Sequence, residues 1–122
     1  MEVFGYRKLI AYQKAKEIVK RTYKILKRFP SEERYAMCDQ LRRASVSITS
    51  NIAEGINRYS VKDKSHFIEM AYGSLMEALC QLDISADLGY ITIEELKHIE
   101  TESVELVRMM KGMMRNLTSD KP

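Results

Sequence analysis

An all-α protein, an antiparallel up-down-up-down four-helix bundle, is what this 122-residue chain predicts. Three observations carry the prediction. Apolar residues recur at three- and four-residue spacing through four long segments, as in helices that bury one stripe. Five glycines and two prolines are too few turn-formers for a β-rich fold. Stop and start signals fall between the segments, at Pro30, at 55–60 and at 89–92. The segments, about residues 6–29, 32–55, 61–88 and 93–117, make one domain over 1–122. At 1.5 Å rise per residue each is ~33 to 40 Å long, and matched lengths with short connections favour a bundle.

The first helix is expected from Tyr6 to Phe29, ended by Pro30, which pushes the preceding residue out of the helical region. Tyr12, Ala15, Ile18, Val19, Thr22, Ile25, Leu26 and Phe29 form its apolar face. Lys16, Lys20, Arg21, Lys24 and Lys27 gather opposite, interrupted by Glu17. Ser31 is placed to cap the second helix, with Glu32 and Glu33 against the positive end of its dipole. Gly55 is its expected terminator in a left-handed conformation. Ser60 and Asp63 form a capping-box-like pair opening the third helix, whose core face is Phe67, Ile68, Ala71, Leu75, Ala78, Leu79, Leu82 and Ala86. Gly89 ends it. Thr92 and Glu95 form a capping box for the fourth helix, which carries Leu96, Ile99, Leu106, Met110, Met113, Met114 and Leu117 on one side. Residues 118–122 are expected to fray.

The second helix is unusual. Its segment Gln40 to Gly55, QLRRASVSITSNIAEG, has small residues on nearly every side. Met37, Leu41, Ala44, Ile48 and Ile52 form a core stripe, while Tyr35, Val46 and Ala53 fall opposite. A polar stripe of Gln40, Arg43, Ser47, Asn51 and Glu54 runs between them. Burial on more than one side is the expectation. Pairing of helices two and three across a turn near Arg58 puts residues whose numbers sum to about 116 to 118 opposite one another. Arg43 then lies near Ser74 and within reach of Glu77, Gln40 lies near Glu77, and Gln81 completes the network. A semi-buried arginine needs such a carboxylate, because an unpaired buried charge costs several kcal/mol. Asn51 and Glu54 are expected to fasten the 57–60 connection, with Arg58 as the partner of Glu54.

That segment, followed by Arg58 and Ser60, resembles the small bacterial four-helix-bundle proteins known as 23S ribosomal RNA intervening-sequence proteins. Tyr12-Gln13-Lys14-Ala15, Gly73-Ser74-Leu75-x-Glu77 and Leu88-Gly89-Tyr90-Ile91 extend the likeness over nearly the whole chain. The chain departs from the family pattern at Thr49, where proline is usual, and at Tyr12, where tryptophan is usual. The resemblance implies an antiparallel four-helix bundle assembling as a ring-like homopentamer, without known catalysis and with a poorly defined role. A basic relative serves diversity-generating retroelements, where the pentamer partners a reverse transcriptase and nucleic acid.

The net charge of +3 hides an asymmetry. Residues 1–30 hold nine basic side chains against Glu2 and Glu17, a surplus of +7, so the remainder carries −4. A basic element on an acidic body fits an anionic partner or the acidic helices of a neighbour. Lys16, Lys20, Lys24 and Lys27 follow a line about 16 Å long, able to neutralise phosphates without reading sequence. The same row also reads as a plain solvated face. Only Tyr23 borders it, which gives no aromatic series for base stacking.

Catalytic patterns are missing. Di-iron bundles need two Glu-x-x-His pairs. Here Glu95 and His98 make one, and His66, the other histidine, has no glutamate three residues before it. No phosphate loop or nucleophile elbow occurs. Ser45, Ser47, Ser50 and Ser74 have no histidine placed to activate them. The residues point to no enzyme, metal or cofactor. Met109, Met110, Met113 and Met114 read as core or subunit-interface packing, and Cys38 and Cys80 as reduced packing residues. No stretch is apolar enough to span a membrane, and the start lacks a secretory signal pattern, so a cytoplasmic protein is expected. Two functions compete: a non-catalytic oligomer that binds RNA or a ribonucleoprotein through basic surfaces, and a scaffold for a larger enzyme such as a reverse transcriptase. A metal-dependent bundle enzyme ranks third.

Overall fold

The computed structural model describes residues 5–118. Its helices are α1 (Ile10–Leu26), α2 (Met37–Ile56), α3 (Val61–Asp87) and α4 (Ile93–Thr118), with short 3-10 turns at Gly5–Lys8 and Ser31–Glu33 and no strand among the described residues. Each helix packs on its neighbours in sequence and α4 also packs on α1, while among the described residues the backbones of diagonal helices stay apart. The core therefore runs down the middle. Ile18, Leu41, Ile48, Ile52, Leu75, Leu82, Ile99 and Leu106 are fully buried there, and all eight belong to the stripes that periodicity marks.

Several boundaries differ from expectation, each for a local reason. Leu9 is extended, so α1 starts at Ile10 rather than Tyr6. It ends at Leu26 rather than Phe29. Arg28 and Phe29 donate to Ile25 and Leu26 at 3.1 Å, the tighter turn a helix makes when the next residue is proline. Residues 31–36 do not begin α2: Ser31–Glu33 form a 3-10 turn, and the helix starts only after Ala36, whose backbone is not helical and whose side chain cannot cap. The cap is Glu33, whose carboxylate accepts the Met37 N–H at 3.3 Å and the Tyr90 hydroxyl at 2.7 Å. That hydrogen bond holds the Tyr90 phenol above its ordinary pKa. Tyr90 also packs on Phe29, centroids 5.1 Å apart, pinning the corner before α2 to the corner after α3. The helices consequently differ in length, α1 having 17 residues and α3 27.

The expected caps of α3 and α4 form. Ser60 accepts from the Asp63 N–H at 3.0 Å. Thr92 and Glu95 bond reciprocally, at 2.9 and 3.1 Å. Gly89 has φ +81° and closes α3 as a Schellman motif, with the Tyr90 N–H on Ser85 and the Gly89 N–H on Ala86. Gly55 does not terminate α2; the helix continues through it to Ile56. Its role is close approach. A Cβ there would lie 3.0 Å from the Cβ of Phe67. Of the tail expected to fray, Thr118 is instead the last residue of α4, and 119–122 lie outside the described residues.

Candidate nucleic-acid interface

The winding of α1 sorts its cations into two sets. Lys14, Arg21 and Arg28 recur every seven residues and face α4. Lys14 pairs with Glu105 at 2.5 Å and lies 3.8 Å from Glu102. The Arg21 Nε donates to the buried Glu102 carboxylate at 3.0 Å, and Arg28 pairs with Glu95. The hydrogen bond between Lys14 and Glu105 raises the pKa of the amine and lowers that of the carboxyl. Arg21, expected on the outward basic face, is thus held in the α1–α4 seam. One residue of offset from Lys20 turns it about 100° towards α4.

Lys16, Lys20, Lys24 and Lys27 remain exposed. Lys16 sits over the Tyr12 ring at 5.8 Å. Lys20, Lys24 and Lys27 border an open groove of about 610 Å³ whose other lining residues are Val19, Tyr23 and, from α2, Val46. Among the described residues none of these three lysines has an ion-pair partner. Lys24 also borders the adjoining cleft with Arg21, Arg28 and His98.

The polar stripe of α2 serves the α2–α3 seam, one turn away from the expected register. Ser47 meets Ser74 at 2.8 Å and the Gln81 amide donates to Gln40 at 3.2 Å, so paired numbers sum to 121. The connection between Ile56 and Val61 is still centred between residues 58 and 59, so its midpoint does not set the register. Gln81 also donates to Glu77 at 3.4 Å, so Gln40, Glu77 and Gln81 do come together. Arg43 does not join them. Its side chain is 82% exposed and reaches Asp39 at 3.7 Å. Asn51 donates to the Ser47 carbonyl and hydroxyl at 2.9 and 3.1 Å rather than to the connection. Arg58 pairs with Glu54 at 3.1 Å and covers the Phe67 ring at 4.5 Å. Within one chain α2 is thus buried towards α1 and α3, while Tyr35, Arg43 and Val46 face outward.

Residues with possible chemistry are occupied structurally. The buried hydroxyls of Thr22, Ser85 and Ser103 donate to the carbonyl four residues earlier at 2.7 to 2.8 Å. Among the described residues no three His, Cys, Asp or Glu side chains group as metal ligands. Cys38 is buried, which raises its thiol pKa. Cys80 is exposed within one chain, so it does not pack in the bundle core. Met110 is core, with Met109, Met113 and Met114 packed against it. No described helix is long and apolar enough to cross a membrane.

A family model described as 23S rRNA-intervening sequence protein matches residues 7–112. The chain is also similar to a crystal structure of a protein of unknown function from the S23 ribosomal protein family of Bacteroides thetaiotaomicron VPI-5482. That match has a TM-score of 0.78 at 24% identity and covers 86% of this chain and 98% of the other, which establishes likeness of fold. No curated protein matches the chain.

Proposed function

The chain belongs to the 23S rRNA-intervening sequence protein family, and from that premise we propose that it is a non-catalytic, cytoplasmic, oligomeric bundle that binds RNA or a ribonucleoprotein through the outer face of α1. One observation carries this reading: Lys14, Arg21 and Arg28 are paired with carboxylates of α4, while Lys20, Lys24 and Lys27 stay exposed on one line with no ion-pair partner among the described residues. Such a row gains most from an anionic polymer, whose bound counterions it displaces. In the test, RNA retention falls steeply with salt and is abolished by Lys16→Glu, Lys20→Glu and Lys24→Glu together. No retention by the native protein at ~50 mM salt ends the proposal.

The antiparallel arrangement and the ring of five belong to the same reading. Ser47 with Ser74 and Gln40 with Gln81 support the first, since numbers rise along α2 as they fall along α3. Gly73 supports self-association. It lies in the middle of α3, and a Cβ added there would meet nothing within 4 Å, although glycine in a helix interior costs about 1 kcal/mol relative to alanine. Met70, Tyr72 and Met76 are exposed around it, an apolar face that a second copy would cover. Light scattering measures subunit number directly, and a monomer at micromolar concentration removes this part. The scaffold reading draws on the groove of Met76, Leu79, Val104 and Val107 between α3 and α4. RNA binding by the isolated protein separates the two.

A further inference from the structure

The groove beside the lysines has an apolar floor. The Tyr23 side chain is 42% exposed and Val46, reaching in from α2, is 38% exposed, with Val19 beside them. No described residue hydrogen-bonds Tyr23, and Lys20, Lys24 and Lys27 stand along the same groove without partners. Sequence periodicity alone leaves Tyr23 as a lone aromatic at the border of a charged stripe. Packing of α2 against α1 adds Val46, and the tyrosine becomes part of a surface flanked by positive charge.

The two halves of that surface make different demands. Lysines neutralise phosphates on any nucleic acid, duplex or single strand. An exposed aromatic and two valines gain only from a planar apolar group that displaces water from them. A duplex keeps its bases stacked inside and brings phosphates alone. An unpaired strand brings both, and base–aromatic stacking is tolerant of base identity. Charge complementarity selects an anion, and the apolar floor selects the anion that carries an exposed ring.

We propose that the α1–α2 groove is a binding site for single-stranded RNA, in which an unpaired nucleobase lies against Tyr23 beside Val19 and Val46 while Lys20, Lys24 and Lys27 neutralise the flanking phosphates. The inference rests on the RNA-binding reading and adds the strandedness of the ligand and the residue that sets it. The lining offers no carboxylate or carboxamide to read base edges, and its lysines are engaged by phosphates, so the site discriminates strandedness rather than sequence.

Fluorescence anisotropy with an unstructured oligouridine and a perfectly paired duplex of equal phosphate number tests it. The wild type binds the single strand more tightly. Tyr23→Ala weakens that binding by about fivefold to a hundredfold, Tyr23→Phe restores it, and duplex binding and the melting temperature are unchanged by either. Equal affinity for both probes with no effect of Tyr23→Ala overturns the inference but leaves RNA binding intact if charge reversal of the lysines abolishes retention. Absence of binding to either probe at low salt overturns both. Tighter binding of an acidic, phenylalanine-containing peptide, which competes off the oligonucleotide, also overturns the inference by assigning the groove to a protein.

Discussion

The seams on opposite sides of the bundle are built differently. Between α2 and α3 the backbones come close: Gly55 has no room for a Cβ beside Phe67, and the Ser47 and Ser74 hydroxyls touch at 2.8 Å. Between α1 and α4 long charged side chains span the distance, Lys14 to Glu105, Arg21 to Glu102 and Arg28 to Glu95. A close seam draws its stability from burial and shape, which salt does not screen. An ionic seam contributes less, because partly exposed pairs lose most of their attraction to water. Its other consequence is selection: it pairs three cations with carboxylates of α4 and leaves Lys20, Lys24 and Lys27 exposed without an ion-pair partner among the described residues.

Substitutions that probe this contrast form a descending series. Ile48→Ala, on the core side of α2 with 0% exposure, is expected to cost about 2–5 kcal/mol in chemical denaturation. Gly55→Val is expected to cost about 1–3 kcal/mol, because Phe67 must move to admit the new side chain. Both losses should be the same at ~50 mM and ~1 M salt; a loss that shrinks at high salt breaks the contrast. Arg21→Met leaves the Glu102 carboxylate, 11% exposed, with Lys14 at 3.8 Å and His98 at 3.7 Å still beside it, and is expected to cost about 1–2 kcal/mol. Lys14→Met should cost less than about 1 kcal/mol and nothing at ~1 M salt, where the Debye length is about 3 Å. A loss as large as that of Ile48→Ala would place the ionic seam on a par with the core.

The smallest effect is on pH dependence. The Glu105 carboxyl is held below its ordinary 4.5 by the hydrogen bond from Lys14. Its contribution to stability is complete above pH 4.5 and disappears as pH falls through the lowered folded value. The Lys14 amine is raised above 10.5, so its contribution is complete below that pH and is lost as pH rises through the folded value. Lys14→Met should flatten both flanks of the stability profile and leave the middle nearly level. Unchanged flanks would mean that the pair does not persist in solution.

The close seam was more legible in the sequence than the ionic one. Small residues all round Gln40 to Gly55 announce close neighbours, and the caps at Ser60, Gly89 and Thr92–Glu95 are fixed by hydrogen bonds only a few residues long. Axial register was not legible. Periodicity says which face of a helix is buried but not how far one helix slides along another: in the observed register Arg43 stands level with Ala78, yet its side chain points away from the seam and out to solvent. The start of α2 was missed because the capping carboxylate, Glu33, is itself held by Tyr90, 57 residues away. A signal for the ionic seam did exist: Lys14, Arg21 and Arg28 share a seven-residue interval with Glu95 and Glu102. It was hidden because one-dimensional clustering groups Arg21 with its neighbour Lys20. Tyr23 gains an apolar partner only when Val46 is brought across from α2.

The division of the α1 cations into an inner and an outer set is tested most directly by the salt dependence of RNA affinity for the wild type and for the Lys20→Gln, Lys24→Gln, Lys27→Gln variant. The account predicts that the slope of log affinity against log salt becomes shallower by about 2 for single-stranded RNA, with no change in melting temperature. An unchanged slope, or a variant that melts as early as Arg21→Met, would contradict it.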